Sequence, residues 1–283
     1  MVINADTDMF GAEELTVELL GVELQVRRMG SGPPVLLLHG EDGFIFNRAF
    51  VENLATRFTV IAPDHPAWGS PRPGHVRTLD DIAYLYLELL DQFAEAPTVI
   101  GVSMGGWIAA EMATKNQSRM AALVLVSPIG IKTGTSRDRA FVDLYACRPD
   151  EVSAALYADP SVVPSLADFT DEQFLDLAIA QEAVARYAWE PYMHNPQLAH
   201  RLARIRIPSL VIEGDHDGFI LEPDYYSNFV RLIGDNATLA TLDGVGHRAD
   251  EESPDRLFNT IAAFLEHPPA AQAAHSSLSR GIA

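Results

Sequence analysis

Residues 98–107 read Thr98-Val-Ile-Gly-Val-Ser103-Met-Gly-Gly-Trp107, and this segment indicates the class of fold. Its first half is a short apolar run of the kind found in strands that are buried on both faces. Ser103 then stands between two glycines, and residues 107–114 have the composition of a helix. A serine on so tight a strand-to-helix turn adopts strained backbone angles, while the glycines let neighbouring segments pass close by. The Ser103 hydroxyl is therefore predicted to stand exposed above a sheet.

Similar apolar runs recur on both sides of this turn and alternate with helical patterns. A hairpin is predicted from Leu15 to Val26, with Gly21 at its turn. Further strands are predicted at residues 34–38, 58–62, 98–102, 122–126, 209–213 and 238–242. Strands that alternate with helices form a parallel sheet with right-handed crossovers. The fold class is therefore α/β, with a mostly parallel sheet of eight strands and helices on both faces.

The alternation stops between about Ile131 and Pro208, where the pattern is helical and loop-like. A helical stretch of this length inside a βα rhythm predicts an insertion that covers the carboxyl edge of the sheet. The predicted domains are a first core part at residues 14–130, a helical cap insertion at 131–207, and a second core part at 208–266. Residues 267–283 form a low-complexity tail that is predicted to be disordered.

Composition excludes several kinds of partner. Acidic residues outnumber basic ones by 39 to 20, which gives a formal net charge of −19. Nucleic acids and anionic membranes both attract lysine and arginine, so neither is expected as a partner. The sequence has neither an apolar run of the roughly 18 residues that a membrane span needs nor a signal-peptide pattern, so a cytoplasmic location is expected. The oligomeric state is left open, with a homodimer as one option.

A serine hydroxyl becomes a good nucleophile only when a base removes its proton and a third group orients that base. His247 follows the last predicted strand and is the candidate base. Apart from His39, the other histidines, including His65, are assigned to solvated positions. Asp215 and Asp217 follow the preceding strand, so each is a candidate for the orienting carboxylate. Their spacing has poor geometry for a metal, and neither a metal nor a cofactor is predicted.

The serine turn and the chain order of Ser103, Asp217 and His247 resemble the α/β-hydrolase superfamily over nearly the whole chain. The resemblance implies the α/β-hydrolase fold of the capped members that use a serine nucleophile. In that family the acid commonly ends a Gly-x-x-Asp turn, which matches Gly214-Asp-His-Asp217. The resemblance therefore favours Asp217 over Asp215 as the third member of the catalytic triad.

Two backbone amides are candidates for the oxyanion hole, which stabilises the charge on the substrate carbonyl oxygen. Met104 N–H is one because Met104 follows the nucleophile. His39-Gly40-Glu41 resembles the family's His-Gly-x loop, so Glu41 N–H is the other, and His39 is implied to support this loop. An ionised carboxylate in the pocket would oppose an oxyanion. The Glu41 side chain is therefore predicted to turn outward, with recognition of a polar or cationic part of the substrate as the alternative.

Aromatic residues in the early loops and in the predicted insertion are candidates for the substrate pocket. Such residues are as typical of a protein core as of a pocket, because their large apolar area is buried in both. The candidates are Phe44, Trp107, Tyr145, Trp189 and Phe219.

These residues predict hydrolysis of a small carboxylic ester or related acyl compound through an acyl-enzyme. One alternative is hydrolysis of a carbon–carbon bond, of the β-diketone or meta-cleavage-product type. Those hydrolases share the Ser-Met-Gly-Gly turn but often carry tryptophan after the catalytic histidine, where this chain has Arg248. A cofactor-free haloperoxidase would use the same triad and stays open. A non-catalytic ligand-binding protein is the alternative from another class, and it would have no need of an intact triad.

Overall fold

The computed structural model describes residues 7–8, 11–69, 72–135, 137–165, 167 and 169–268. The predicted disordered tail lies outside the described residues from residue 269 onward. The strands of the described part are β1 (Thr7–Asp8), β2 (Ala12–Leu19), β3 (Val22–Met29), β4 (Pro34–Leu38), β5 (Thr59–Pro63), β6 (Thr98–Val102), β7 (Ala122–Val126), β8 (Ser209–Gly214) and β9 (Ala237–Leu242).

Helices occupy most of the connections between the strands. They are α1 (Arg48–Ala55), α2 (Leu79–Leu90), α3 (Met104–Lys115), α4 (Pro149–Leu156), α5 (Asp171–Ala188), α6 (Leu198–Arg201), α7 (Tyr225–Ile233), α8 (Ala249–Glu252) and α9 (Pro254–Glu266). Helix α2 begins with a reciprocal capping box, in which Thr78 accepts from the Asp81 amide and the Asp81 side chain accepts from the Thr78 amide. This cap satisfies amides that have no partner within the helix.

The strands form one sheet in the order β1-β2-β3-β5-β4-β6-β7-β8-β9. The predicted eight-stranded, mostly parallel sheet is confirmed, and β1 adds a two-residue strand at its edge. Strands β4 to β9 pair in parallel, whereas β1, β2 and β3 form an antiparallel edge that joins β5. Strands β6 and β7 are buried along their whole length, as expected for strands covered on both faces.

Helices cover both faces of the sheet, because successive side chains of each strand point to opposite sides. Along β4, Leu36 and Leu38 pack in the core beneath α2, α3 and α7. Val35 and Leu37 pack in the second core, beneath α1 and α9. The parallel strands thus run through the middle of the molecule, and their carboxyl ends all open at one edge of the sheet.

The chain between β7 and β8 is helical, with α4, α5 and α6 in its described part. Within the described residues 131–207 this segment contains no strand. Two isolated β-bridges connect it to its neighbours, one between His194 and Gly130 and one between Phe141 and Ile220. The boundaries of a cap domain at residues 131 and 207 stay a prediction. No helix in the described part of the chain combines the length and apolarity that crossing a membrane requires.

Candidate active site

Ser103 lies on a strained turn between β6 and α3. Its backbone angles are φ +47° and ψ −109°, a conformation that residues other than glycine rarely adopt. A Cβ atom on Gly105 would lie 2.2 Å from the Leu38 carbonyl oxygen, and one on Gly101 would lie 2.3 Å from the Gly105 carbonyl oxygen. The turn therefore requires glycine at both positions, as the sequence predicts, and it holds the Ser103 side chain at the carboxyl edge of the sheet.

The structure brings together the three residues predicted to form the triad. Ser103 Oγ lies 2.7 Å from His247 Nε2, and His247 Nδ1 lies 2.7 Å from Asp217 Oδ2. The three residues follow β6, β9 and β8, whose carboxyl ends meet at this edge. The side chains of His247 and Asp217 are almost fully buried. A hydroxyl, an imidazole and a carboxylate in this order can pass a proton from the hydroxyl to the imidazole.

Asp217 is held by four hydrogen bonds. Its Oδ1 atom accepts from the amides of Phe219 at 2.9 Å and Ile220 at 3.3 Å, and its Oδ2 atom accepts from His247 Nδ1 and the Tyr226 hydroxyl. Burial acts to raise the pKa of Asp217, but the charge of His247 and these hydrogen bonds outweigh it and lower the pKa. Asp217 is therefore an ionised carboxylate in a fixed position. Tyr226 was missed by sequence reasoning, since a helical tyrosine carries no signal of such a contact.

Asp215 lies apart from this arrangement. Its side chain accepts from the Gly244 amide at 2.5 Å and pairs with His216 Nδ1 at 2.7 Å. The side chain is partly exposed, and its hydrogen-bond partners within the described residues do not include His247. Asp215 thus holds the loop after β9 to the loop after β8, which leaves Asp217 as the carboxylate beside the candidate base.

The loop after β4 is held in place by buried hydrogen bonds. His39 Nε2 accepts from the His65 amide at 3.0 Å, so the proton of a neutral His39 resides on Nδ1, which donates to the Gly40 carbonyl at 2.7 Å. Trp68 Nε1 donates to the Glu41 carbonyl at 2.8 Å. His39 therefore lies where it can support the loop, while the roles of Glu41 N–H and Met104 N–H as oxyanion donors stay a prediction.

His65 is fully buried, so its predicted solvated position is wrong. Its ring lies 3.7 Å from that of His39, its Nε2 atom donates to the His39 carbonyl, and its Nδ1 atom accepts from the Tyr86 hydroxyl at 2.6 Å. Burial lowers the pKa of His65 to about 3 and that of His39 well below its usual value. Both rings are therefore neutral supports, whose partners from other elements could not be inferred from the turn itself.

The side chain of Glu41 points inward, so the predicted outward orientation is wrong. Ser103 Oγ donates to Glu41 Oε1 at 2.7 Å, and Glu41 is only 4% exposed. Its other oxygen lies 3.3 Å from a guanidinium nitrogen of Arg248 and has no hydrogen-bond partner among the described residues. The carboxylate tolerates burial because Arg248 supplies an opposite charge. That partner lies more than two hundred residues away in sequence, so no local pattern indicated it.

Arg248 is buried among carboxylates directly after the candidate base. It contacts Asp42 at 2.5 Å, Glu41 at 3.3 Å and Glu251 at 3.9 Å. Burial acts to lower the pKa of Arg248, but Asp42, Glu41 and Glu251 raise it well above its usual value, so the guanidinium stays charged. Burial also raises the pKa of Glu251 to about 8 despite Arg248. Glu251 is therefore mostly protonated near neutral pH, so the excess of negative charge around Arg248 rests on Glu41 and Asp42, and it makes the cluster receptive to cations.

Two contacts of 2.7 Å converge on Ser103 Oγ, one from Glu41 Oε1 and one from His247 Nε2. A hydroxyl donates only one hydrogen bond, so the second contact requires a proton from Glu41 or from His247. When Ser103 donates to Glu41, its proton points away from the base. In that arrangement the Glu41 carboxylate must release the hydroxyl before His247 can take the serine proton.

A cavity of about 250 Å³ adjoins this cluster. Glu41, Asp42 and Arg248 are among its lining residues, and the other lining residues are mostly apolar. Lining residues from the loop after β4 and from the chain between β7 and β8 include Phe46, Tyr145, Leu156, Phe169, Leu177 and Val184. Ser103 is fully buried, so the predicted exposure of its hydroxyl is wrong, and Glu41 contacts both Ser103 and the cavity. The Glu41 carboxylate therefore lies between the candidate nucleophile and the cavity.

Of the five aromatic residues predicted to line a pocket, Tyr145 lines this cavity. The other four lie elsewhere, namely Phe44, Trp107, Trp189 and Phe219. Phe44 and Trp107 are buried in the two cores. The Phe219 ring is also buried and packs 4.7 Å from the ring of His247, whereas Trp189 is 54% exposed. These four do not line this cavity, because residue type alone does not distinguish a core position from a cavity wall, and their place in the substrate pocket stays a prediction.

A sheet of this topology, with a serine on the turn after β6 and a histidine and an aspartate at later strand ends, defines an α/β hydrolase. A model of the alpha/beta hydrolase family matches residues 35–260. The chain therefore belongs to the alpha/beta hydrolase family.

Three curated relatives illustrate the family. The chain is 28% identical to 2-hydroxy-6-oxononadienedioate/2-hydroxy-6-oxononatrienedioate hydrolase 2 of Pseudomonas putida, over 87% of this chain and 89% of the relative. It is 32% identical to Lipase LipV of Mycobacterium tuberculosis, over 59% and 66%. It is 30% identical to the dihydrolipoyllysine-residue acetyltransferase component of the acetoin cleaving system of Cupriavidus necator, over 71% of this chain but only 56% of the relative. The two hydrolases support a hydrolase role.

Solved structures show the same fold. A meta-cleavage product hydrolase from Pseudomonas fluorescens superposes with a TM-score of 0.71 at 22% identity, covering 89% of this chain and 97% of that chain. A bacterial membrane phospholipase A superposes with a TM-score of 0.73 at 20% identity, covering 90% and 86%. At these identities the likeness concerns the fold alone.

Proposed function

We propose that this chain hydrolyses a carboxylic ester or a related acyl compound through an acyl-enzyme. The observation that carries the proposal is the relay from Ser103 Oγ to His247 Nε2 and from His247 Nδ1 to Asp217, with 2.7 Å at each step. Acyl transfer needs a nucleophile, a base and a group that orients the base, and the three residues have these types and this order.

In the first half of the reaction, His247 Nε2 takes the Ser103 proton while Oγ attacks the carbonyl carbon of the substrate. The carbonyl oxygen becomes an oxyanion, which the amides of Glu41 and Met104 stabilise. The intermediate then collapses, the bond to the alcohol breaks, and the alcohol leaves with the proton from His247. In the second half, His247 deprotonates a water molecule that attacks the acyl-enzyme, which releases the acid and restores Ser103.

Asp217 and Tyr226 prepare His247 for these proton transfers. The ionised carboxylate of Asp217 accepts from Nδ1, which directs the free lone pair of the neutral imidazole at Nε2 toward Ser103. The same charge stabilises the imidazolium that forms during attack. Burial raises the pKa of the Tyr226 hydroxyl, so it remains protonated and keeps donating to Asp217.

Carbon–carbon bond hydrolysis is the second candidate, favoured by the relative whose name gives a nonadienedioate as its substrate. A dioate carries two carboxylates at neutral pH. In this chain Glu41 and Asp42 face the cavity against the single guanidinium of Arg248. A substrate carboxylate placed there would be repelled, since like charges in a buried site repel strongly. The acidic end of the cavity therefore supports an ester or acyl compound over a dicarboxylate.

Purified protein is to be assayed with short- and long-chain 4-nitrophenyl esters and with a vinylogous diketone acid. We expect kcat/KM for the preferred ester to exceed that for the diketone acid by at least about tenfold, a difference of about 1.4 kcal/mol in activation free energy. The reverse order would favour carbon–carbon cleavage. Turnover of none of these compounds, with tight binding of one of them, would favour the non-catalytic binding protein.

A further inference from the structure

Glu41 provides a second carboxylate near the nucleophile, in addition to Asp217, which orients His247. Its Oε1 atom contacts Ser103 Oγ at 2.7 Å, and its Oε2 atom is buried without a hydrogen-bond partner among the described residues. The side chain lines the cavity and is 4% exposed. A buried carboxylate oxygen with an open acceptor position is costly unless a donor completes it. The oxygen without a hydrogen-bond partner thus belongs to a side chain that contacts both the nucleophile and the cavity.

This carboxylate also lies where the chemistry of an uncharged ester would be opposed. The substrate carbonyl carbon becomes bonded to Ser103 Oγ, so its oxyanion develops close to Glu41 Oε1. A negative charge beside a forming oxyanion raises the energy of the transition state. Arg248 offsets this only in part, because Asp42 contacts the same guanidinium more closely, at 2.5 Å, than Glu41 does at 3.3 Å.

We propose that Glu41 selects acyl substrates that carry an ammonium group next to the scissile carbonyl, that is, esters of apolar amino acids. The inference rests on the proposed function of Ser103 as an acyl-transfer nucleophile. An ammonium group one carbon from the carbonyl lies within reach of Glu41 Oε1 once the carbonyl carbon is at Ser103 Oγ. The ammonium donates to Glu41, neutralises it beside the oxyanion, and takes the place of the Ser103 hydroxyl as its hydrogen-bond donor.

The same exchange prepares the nucleophile. Released from Glu41, the Ser103 proton turns to His247 Nε2, which lies 2.7 Å away on the other side. An uncharged substrate offers no donor to Glu41, so the Ser103 hydroxyl stays hydrogen-bonded to Glu41 and its proton does not turn to His247. The apolar walls of the cavity, among them Leu156, Leu177 and Val184, accept the apolar part of the substrate. The carboxylates of Glu41 and Asp42 beside Arg248 disfavour a substrate carboxylate at the same place.

Two esters that differ only in the amine test the proposal, namely L-phenylalanine ethyl ester and ethyl 3-phenylpropanoate, assayed slightly below neutral pH where the amine is protonated. We expect wild-type kcat/KM to be about 10- to 100-fold higher for the amino ester, in line with a hydrogen bond between charged groups. In Glu41→Gln the ratio should fall to near one, through loss of activity on the amino ester and a gain on the neutral ester. Glu52→Gln makes the same change on an exposed carboxylate of α1 and should keep the wild-type ratio.

Different results would overturn the assignment of Glu41 and the proposed function of Ser103. If wild type cleaves the neutral ester as well as the amino ester, the assignment of Glu41 is overturned while the acyl-enzyme stands. If Glu41→Gln keeps the wild-type ratio, another group recognises the amine and the assignment is again overturned. If neither ester is cleaved and Ser103 resists covalent serine reagents, the proposed function itself fails. A wild-type ratio near one overturns the assignment whether or not Glu41→Gln folds.

Discussion

Replacing Ser103 with alanine is expected to lower kcat for ester hydrolysis by about 10⁶-fold, because no other group can form the acyl-enzyme. His247→Ala and the double variant should fall to the same level. The contact of 2.7 Å between Ser103 Oγ and His247 Nε2 makes the two residues one unit, so removing either removes the whole nucleophile. Steady-state kinetics with a 4-nitrophenyl ester measure the loss, and thermal melting establishes that the variants are folded.

Ser227 on the exposed side of α7 offers a matched control. Ser227→Ala makes the same chemical change away from the site and should leave kcat within about twofold of wild type, since isolated surface substitutions have small effects. A folded Ser103→Ala that keeps more than about one hundredth of the wild-type rate would contradict the assignment of Ser103. Losses that multiply in the double variant would contradict the joint action of Ser103 and His247.

Replacing Asp217 with asparagine is expected to lower kcat by about 10⁴-fold with little change in KM. Asparagine keeps the size of the side chain but can donate to His247 Nδ1, which places the imidazole proton on Nε2 and removes the base from Ser103. The amides of Phe219 and Ile220 would still hold the side-chain oxygen, while the Tyr226 hydroxyl would accept from the new amide nitrogen instead of donating. The loss should therefore concern the proton transfer and not substrate binding, as separate kcat and KM values would show.

Asp215→Asn is the matched control, because it makes the same change two residues earlier in the same loop. Its contacts with His216 and the Gly244 amide hold the loop but do not reach the relay. We expect kcat within about tenfold of wild type for this variant. A larger loss in Asp215→Asn than in Asp217→Asn would show that Asp215 is the orienting acid.

The sheet and the relay could be predicted from sequence because each depends on local patterns. Apolar runs at regular intervals specify strands that are buried on both faces, and the glycines around Ser103 specify the turn that presents it. Because the strands run parallel, their carboxyl ends lie at the same edge of the sheet. Residues that follow β6, β8 and β9 then meet, although they lie far apart in the chain.

The details around the nucleophile could not be predicted because they depend on contacts between distant segments. The inward orientation of Glu41 depends on Arg248, and the burial of His65 depends on Tyr86 and His39. A sequence pattern indicates the face on which a residue lies but not the opposite charge or donor that it meets there. The same limit explains why four aromatic residues predicted for the pocket lie outside the cavity.

Glu41 has two proposed roles in the site: its backbone amide is a candidate oxyanion donor, and its side chain separates Ser103 from the cavity. Trp68 fixes the Glu41 carbonyl, and the hydrogen bonds of His39 and His65 hold the loop before it. The backbone is thus fixed while the carboxylate is free to exchange Ser103 for a donor on the substrate. Catalysis and selectivity would then depend on different atoms of one residue.

The activation of Ser103 by His247 can be measured with a fluorophosphonate reagent, followed by mass measurement of the intact protein and its peptides. We expect one adduct per chain, located on Ser103, with labelling abolished in Ser103→Ala and slowed strongly in His247→Ala. A folded wild-type protein that forms no adduct, or an adduct that persists in Ser103→Ala, would contradict this expectation.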